Sequence, residues 1–213
     1  GAALPDGASG HPLTRSAGPT SRPPRGGRRR ARFAFDARGR AAGVRFVASP
    51  NCDDRPAGET VRLVVIHGIS LPPGEFGGDA IERLFCNRLD CDAHPYFAQL
   101  REVRVSAHFL IRRSGELLQF VPCTRRAWHA GASSWHGRER CNDFSVGIEL
   151  EGTDEIPYSD PQYAALGELV TALVRTYPVA DVVGHADIAP TRKTDPGPSF
   201  DWPRLRALIR RSD

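Results

Sequence analysis

The chain has no methionine and only one lysine, Lys193, so every other basic residue is arginine. Lysine is therefore rare enough that its single occurrence carries information. No stretch approaches the ~20 consecutive apolar residues that a membrane helix requires, and no membrane partner is expected. The arginines at 28–30 are not followed by the apolar run of an export signal, so a cytoplasmic location is the expectation. Cysteines are few: Cys52, Cys86, Cys91, Cys123 and Cys141, with no CxxC among them. That excludes a zinc ribbon and leaves an odd number for a disulfide framework. Reduced thiols are expected, with Cys86 and Cys91 the pair that an oxidising setting would join.

What is present is a soluble, globular composition, 40% hydrophobic and 25% charged over 213 residues. That length suits one sizeable α/β domain. The net charge of +4 hides an asymmetry. Residues 1–45 carry ten arginines against Asp6 and Asp36, which leaves 46–213 mildly acidic. The stretch SAGPTSRPPRGGRRRAR lacks apolar periodicity, so residues 1–40 are expected to be a disordered arm and 41–213 the folded domain. Such an arm has the charge to touch nucleic acid or anionic lipid. The domain shows no recognisable nucleic-acid fold, and no nucleic-acid partner is expected. A monomer is expected.

Hydrophobic patterning orders the domain. Val61–Ile66 is short, β-branched and continuously apolar, as in a strand buried on both faces. A helix is predicted over about Asp79–Asn87. Val105–Arg112 and Glu116–Val121 flank Ser114-Gly115 as a hairpin. Phe144–Leu150 reads as a strand, and Asp160–Tyr177 is the clearest helix, with Tyr163, Leu166, Leu169, Val170 and Leu173 at helical spacing. A short strand ends at Val182-Val183, and a last helix runs from an Asp201 cap to about Arg210. Residues 31–60 and 124–143 read as irregular. The prediction is a central mixed β-sheet flanked by helices (α/β, α+β), with long loops at one sheet edge.

The segment GHADIAPTRKTDPGP, Gly184–Pro198, is the candidate centre. Its prolines impose a stiff loop rather than a helix, and it carries an imidazole, an ammonium and a carboxylate. Lys193 sits beside Arg192, so charge alone is not what it supplies. A lysine is a compact point charge that suits stabilisation of a developing oxyanion. His67 and His185 each follow an apolar strand. If those strands are parallel neighbours, both imidazoles emerge at the same sheet edge. With Asp195 they make a His/His/carboxylate set of the kind that binds zinc and leaves a fourth position open. His108 reads equally as a core histidine or an alternative ligand, and His129 and His136 as substrate contacts or loop polarity.

Five blocks then carry a resemblance: LVVIHGISLPPGEFGG, AHPYF, RVSAHFLIRRSGE, RAWHAGASSWHGRERCNDFSVGIELEGTD and GHADIAPTRKTDPGPSFDW. Over about residues 42–209 the chain resembles the AmpD family of zinc-dependent N-acetylmuramoyl-L-alanine amidases, which act on 1,6-anhydro-muropeptides in cytoplasmic wall recycling. The resemblance implies one zinc ion on His67, His185 and Asp195, with Glu149 as base. It implies Lys193 at the tetrahedral intermediate, and Tyr96, Arg104, Trp128, His129 and Arg192 as substrate contacts. Glu151 shares a strand face with Glu149 and competes for the base role. Gly68 stands where the family usually has asparagine. A secreted amidase on intact peptidoglycan and a muropeptide-binding module without catalysis are the alternatives.

Overall fold

The computed structural model describes residues 32–209. A six-stranded mixed sheet runs in the order β1-β5-β4-β9-β3-β10. Its strands are β1 (Arg45–Phe46), β3 (Leu63–Ile69), β4 (Phe109–Ile111), β5 (Leu117–Gln119), β9 (Ser145–Glu151) and β10 (Asp181–Gly184). Two small ribbons lie apart from it, one pairing β2 (Cys52–Asp54) with β6 (Arg125–Ala127), the other β7 (Ser134–Trp135) with β8 (Arg138–Glu139). Helices α1 (Ala80–Phe85), α2 (Asp160–Thr176), α3 (His185–Ile188) and α4 (Trp202–Leu208) complete the fold. The predicted mixed sheet with flanking helices is the fold observed.

The middle of the sheet positions the site. β3 lies parallel between β9 and β10, with His67 opposite Glu149 and Ile66 opposite Gly184. Alternate residues separate its two faces. Val64, Ile66, Val146 and Ile148 join the core under α2, while Leu63 and Val65 pack with Ala130, Phe144 and Val183 on the other face. All seven residues of β9 are buried, because both faces are covered. At ~1.5–3 kcal/mol per buried aliphatic side chain, this central triplet is a firm mount.

Helix α2 is fixed at its start by Ser159, whose hydroxyl accepts from the Gln162 amide, while the Gln162 side chain accepts from the Ser159 amide. This capping box satisfies two amides that the first turn leaves open. The Gln162 side-chain amide also donates to the carbonyls of Ile111 and Glu151, tying the helix to the ends of β4 and β9. The helix stops at Thr176 because Tyr177 precedes a proline and turns extended.

Most of the predicted arm lies outside the described residues. Where the two overlap, the chain is packed: Phe33 is in the core, and Phe35 lies edge-on to Phe109 with centroids 6.3 Å apart. The folded unit therefore takes in residues ahead of position 41. All five cysteines are free thiols. Among the described residues, no helix is long and apolar enough to cross a membrane.

Candidate active site

At the carboxyl ends of β3, β9 and β10 opens a cleft of about 660 Å³, lined by His67, Tyr96, Glu149, His185, Lys193 and Asp195 among others. The two strands expected to be parallel neighbours are so, and their histidines meet. His67 Nδ1 lies 3.0 Å from His185 Nδ1, and Asp195 Oδ2 lies 3.3 Å and 3.2 Å from these nitrogens.

Asp195 reaches the strand ends through the loop that leaves β10. Gly184 N–H donates to the Asp187 carboxylate and starts the single turn α3, one turn more helix than its prolines suggest. The amides of Arg192 and Lys193 then donate to the Ala189 carbonyl, and Ala186 N–H donates to the Asp195 carbonyl. The loop closes on itself and carries the aspartate back to His185.

Two imidazole nitrogens and one carboxylate oxygen form a donor set that suits zinc. Donors at about 2.0–2.1 Å from a tetrahedral ion stand roughly 3.3 Å apart, close to the separations found here. The protonation states agree. Burial drives the His67 imidazole down to about 4, against the opposing Asp195 carboxylate, so the ring is neutral at pH 7. For Asp195, burial alone would raise the carboxyl, but the close approach of the His185 and His67 rings outweighs it and holds the group well below its ordinary range.

Glu149 sits beside His67 in register, and burial followed by the Asp195 charge pushes its carboxyl well above the usual range, with Lys193 opposing. Its Oε2 is buried without a hydrogen-bond partner among the described residues. Its competitor is committed elsewhere. Glu151 accepts from the amides of Gly77 and Arg113 and from the Arg112 guanidinium. His108 is a core histidine: its Nδ1 accepts from Gly147 N–H, so Nε2–H points to the Arg125 carbonyl.

The expected substrate contacts divide. Tyr96 lines the cleft and is exposed. Arg104, Trp128 and Arg192 lie outside the cleft lining. Arg104 donates to the carbonyls of Arg101 and Val103, and Arg192 to the carbonyls of Ala130 and Ala132. His129 touches the cleft, yet its ring is buried between His67 and Ser145.

The glycine at 68 has a physical reason. A Cβ there would overlap the hydroxyl of Tyr158, which donates to the Pro196 carbonyl at 2.9 Å, next to Asp195. Gly68→Ala is expected to displace this buried tyrosine and lower stability by about 1–3 kcal/mol, the usual cost of overpacking. Thermal melts of the metal-free protein would show it, and an unchanged midpoint would contradict the packing argument. Sequence reasoning passed over Tyr158, Asn142, Ser145 and Arg55. Polar residues in loops give no pattern that marks them as supports.

The profile of the N-acetylmuramoyl-L-alanine amidases (Amidase_2) matches residues 57–198, a span that contains the whole cleft, and the chain belongs to this family. It is an amidase. Within the family it stands with the AmpD amidases. It is 59% identical over 168 residues to the 1,6-anhydro-N-acetylmuramyl-L-alanine amidase AmpD of Salmonella typhimurium (strain SL1344), covering 78% of this chain and 90% of that one. The match to AmpD of Escherichia coli (strain K12) is 58% over 169 residues, 78% of this chain and 92% of the relative. A crystal structure of a selenomethionine AmpD derivative superposes with a TM-score of 0.81 at 58% identity, covering 83% of this chain and 99% of that one. The amidase AmiD of E. coli, solved with the substrate anhydro-N-acetylmuramic acid-L-Ala-D-γ-Glu-L-Lys, gives 0.52 at 31% identity, covering 73% and 60%.

Proposed function

We propose that this amidase hydrolyses the bond between the lactyl group of 1,6-anhydro-N-acetylmuramic acid and the L-alanine of the stem peptide, as a zinc enzyme of cytoplasmic peptidoglycan recycling. The carrying observation is the orphaned Glu149 oxygen beside two imidazole nitrogens and a carboxylate, all in one open cleft. The names of the AmpD relatives supply the anhydro-muropeptide.

His67, His185 and Asp195 would hold the ion through Nδ1, Nδ1 and Oδ2. Zinc so held supplies a Lewis acid that polarises the scissile carbonyl and lowers the pKa of a water beside it. Glu149 takes the proton from the attacking water and delivers it to the departing alanine nitrogen. Its burial beside a second carboxylate raises its proton affinity toward the pH at which it must do both. Lys193 faces the same space, and its ammonium counters the charge that develops on the carbonyl oxygen. Tyr96, on the cleft rim, offers a ring and a hydroxyl to the muropeptide.

Lys193→Ala is expected to lower kcat by roughly 10²–10³-fold with KM little changed, the mark of a contact made only in the transition state. Steady-state kinetics would decide, and a rise in KM matching the fall in kcat would remove the oxyanion role. The function itself is tested by mass spectrometry of a soluble anhydro-muropeptide and an intact sacculus, each incubated with zinc-loaded protein. Free stem peptide from the soluble substrate alone is expected. Release from the sacculus as well moves the assignment to a wall-lytic amidase, and release from neither, with zinc bound, leaves a binding module.

A further inference from the structure

The two histidine donors are aimed by one dipeptide. His67 turns Nδ1 toward Asp195 while its Nε2 meets His129 Nδ1 at 2.9 Å. His185 does the same while its Nε2 meets the Ala130 carbonyl at 3.1 Å. The amides of His129 and Ala130 both donate to a single atom, Asn142 Oδ1, at 3.2 Å and 2.8 Å. On the far side, His129 Nε2 meets the Ser145 hydroxyl at 3.0 Å. Arg55 anchors this layer by donating to the backbone carbonyls of Asn142 and Ser145. Gly147 leaves the slot, since a Cβ there would overlap the His129 ring.

An imidazole can offer either nitrogen to a metal, and the hydrogen bond made by the other nitrogen fixes which. A carbonyl only accepts, so Ala130 requires the proton of His185 on Nε2 and frees Nδ1. For His67 the same result needs His129 Nδ1 as acceptor, which leaves the His129 proton on Nε2, facing Ser145. The donors then run one way, from His67 to His129 to Ser145. Both ligand orientations depend on where residues 129 and 130 sit, and Asn142 Oδ1 is the atom that both their amides share.

We propose that Asn142, acting through His129-Ala130, is a positioning residue that locks both histidines with Nδ1 toward the metal and so sets the affinity of the site. On this assignment His129 is a brace for a ligand rather than a contact for substrate. The inference rests on reading His67, His185 and Asp195 as a metal site.

The test measures zinc affinity by competition with a chromogenic chelator, beside melting of each metal-free protein. Asn142→Ala and His129→Phe are expected to fold and to bind zinc about 10–100-fold more weakly, the usual cost of losing an outer partner of a ligand. Asn142→Asp, which keeps the accepting oxygen, is expected to retain wild-type affinity. Nitrogen-15 spectra of the zinc-loaded wild type should show slowly exchanging Nε2–H signals on His67 and His185, lost in Asn142→Ala. Folded Asn142→Ala and His129→Phe proteins with wild-type affinity would overturn the proposal. So would an Asn142→Asp loss equal to that of Asn142→Ala. Failure of both metal-free variants to fold would also overturn it, by making these residues supports of the fold. Absence of zinc binding by the wild type would instead sink the metal-site reading itself.

Discussion

Glu149→Gln is expected to lower kcat by roughly 10²–10⁴-fold, the range for loss of a positioned general base, with zinc still bound and KM close to wild type. The substitution keeps volume and shape in β9, where every neighbour is buried, so the strand has no reason to shift. Glu149 is not one of the three candidate donors, so a bound ion would keep its ligands. What disappears is an oxygen able to accept a proton at the place where Glu149 Oε2 now lacks a partner. Glu151 cannot replace it, because its oxygens are held by Gly77, Arg112 and Arg113. Single-turnover assays on a soluble muropeptide, with zinc quantified in the same sample, give the answer. A loss below tenfold would move the base role away from Glu149.

The second large effect is on stability. The metal-free protein is expected to lose it steeply as pH falls from 6.5 toward 4. Burial holds His67 near 4 and His108 near 3, and carries His129 well below its ordinary 6.5. In the unfolded chain all three take up protons below about 6.5, while in the folded protein they stay neutral. The unfolded state therefore binds more protons and gains as pH drops. Glu149 works the other way. Its raised carboxyl keeps a proton above 4.5 that the unfolded chain has released, a contribution lost as pH rises through its folded value. Three less one leaves at most two protons, or about 3 kcal/mol per pH unit. Asp195, held low in the fold, adds a further loss only below about 3.8. Denaturant unfolding at pH 7, 6 and 5 measures this directly, and a constant free energy across that range would refute the burial argument.

The parts legible in the sequence were those with a period or a scarcity. β3, β9 and α2 announced themselves by apolar spacing, the lysine that lines the cleft by its rarity, and the two histidines that meet there by following apolar runs. Boundaries shifted where neighbours extended a strand: β3 continues through His67 to Ile69 because β9 pairs with it that far. Residues 124–143 read as loop yet form β6, a small hairpin and a 3₁₀ turn, since ribbons of two or three residues leave no alternation to detect. Trp128 and Arg192 lie outside the cleft lining, and Arg192 is held by the carbonyls of Ala130 and Ala132, contacts that no spacing rule reveals. His129 is the clearest case, since the slot that receives it is made by an absent side chain on another strand.

The order of the strands also sets when the site comes into being. β3 carries His67 early in the chain, yet both of its neighbours, β9 and β10, lie far later in sequence, and Asp195 comes later still. A chain emerging from the ribosome must therefore add residues 70–145 before β3 has an edge to pair with. Closing such distant contacts is slow relative to local ones. An ion held on this set could not act as an early template for the fold, because the third candidate donor follows β10 in sequence. Metal capture on this set would require β3, β9 and β10 to be made first, and a protein interrupted before residue 195 would lack one of the three candidate donors.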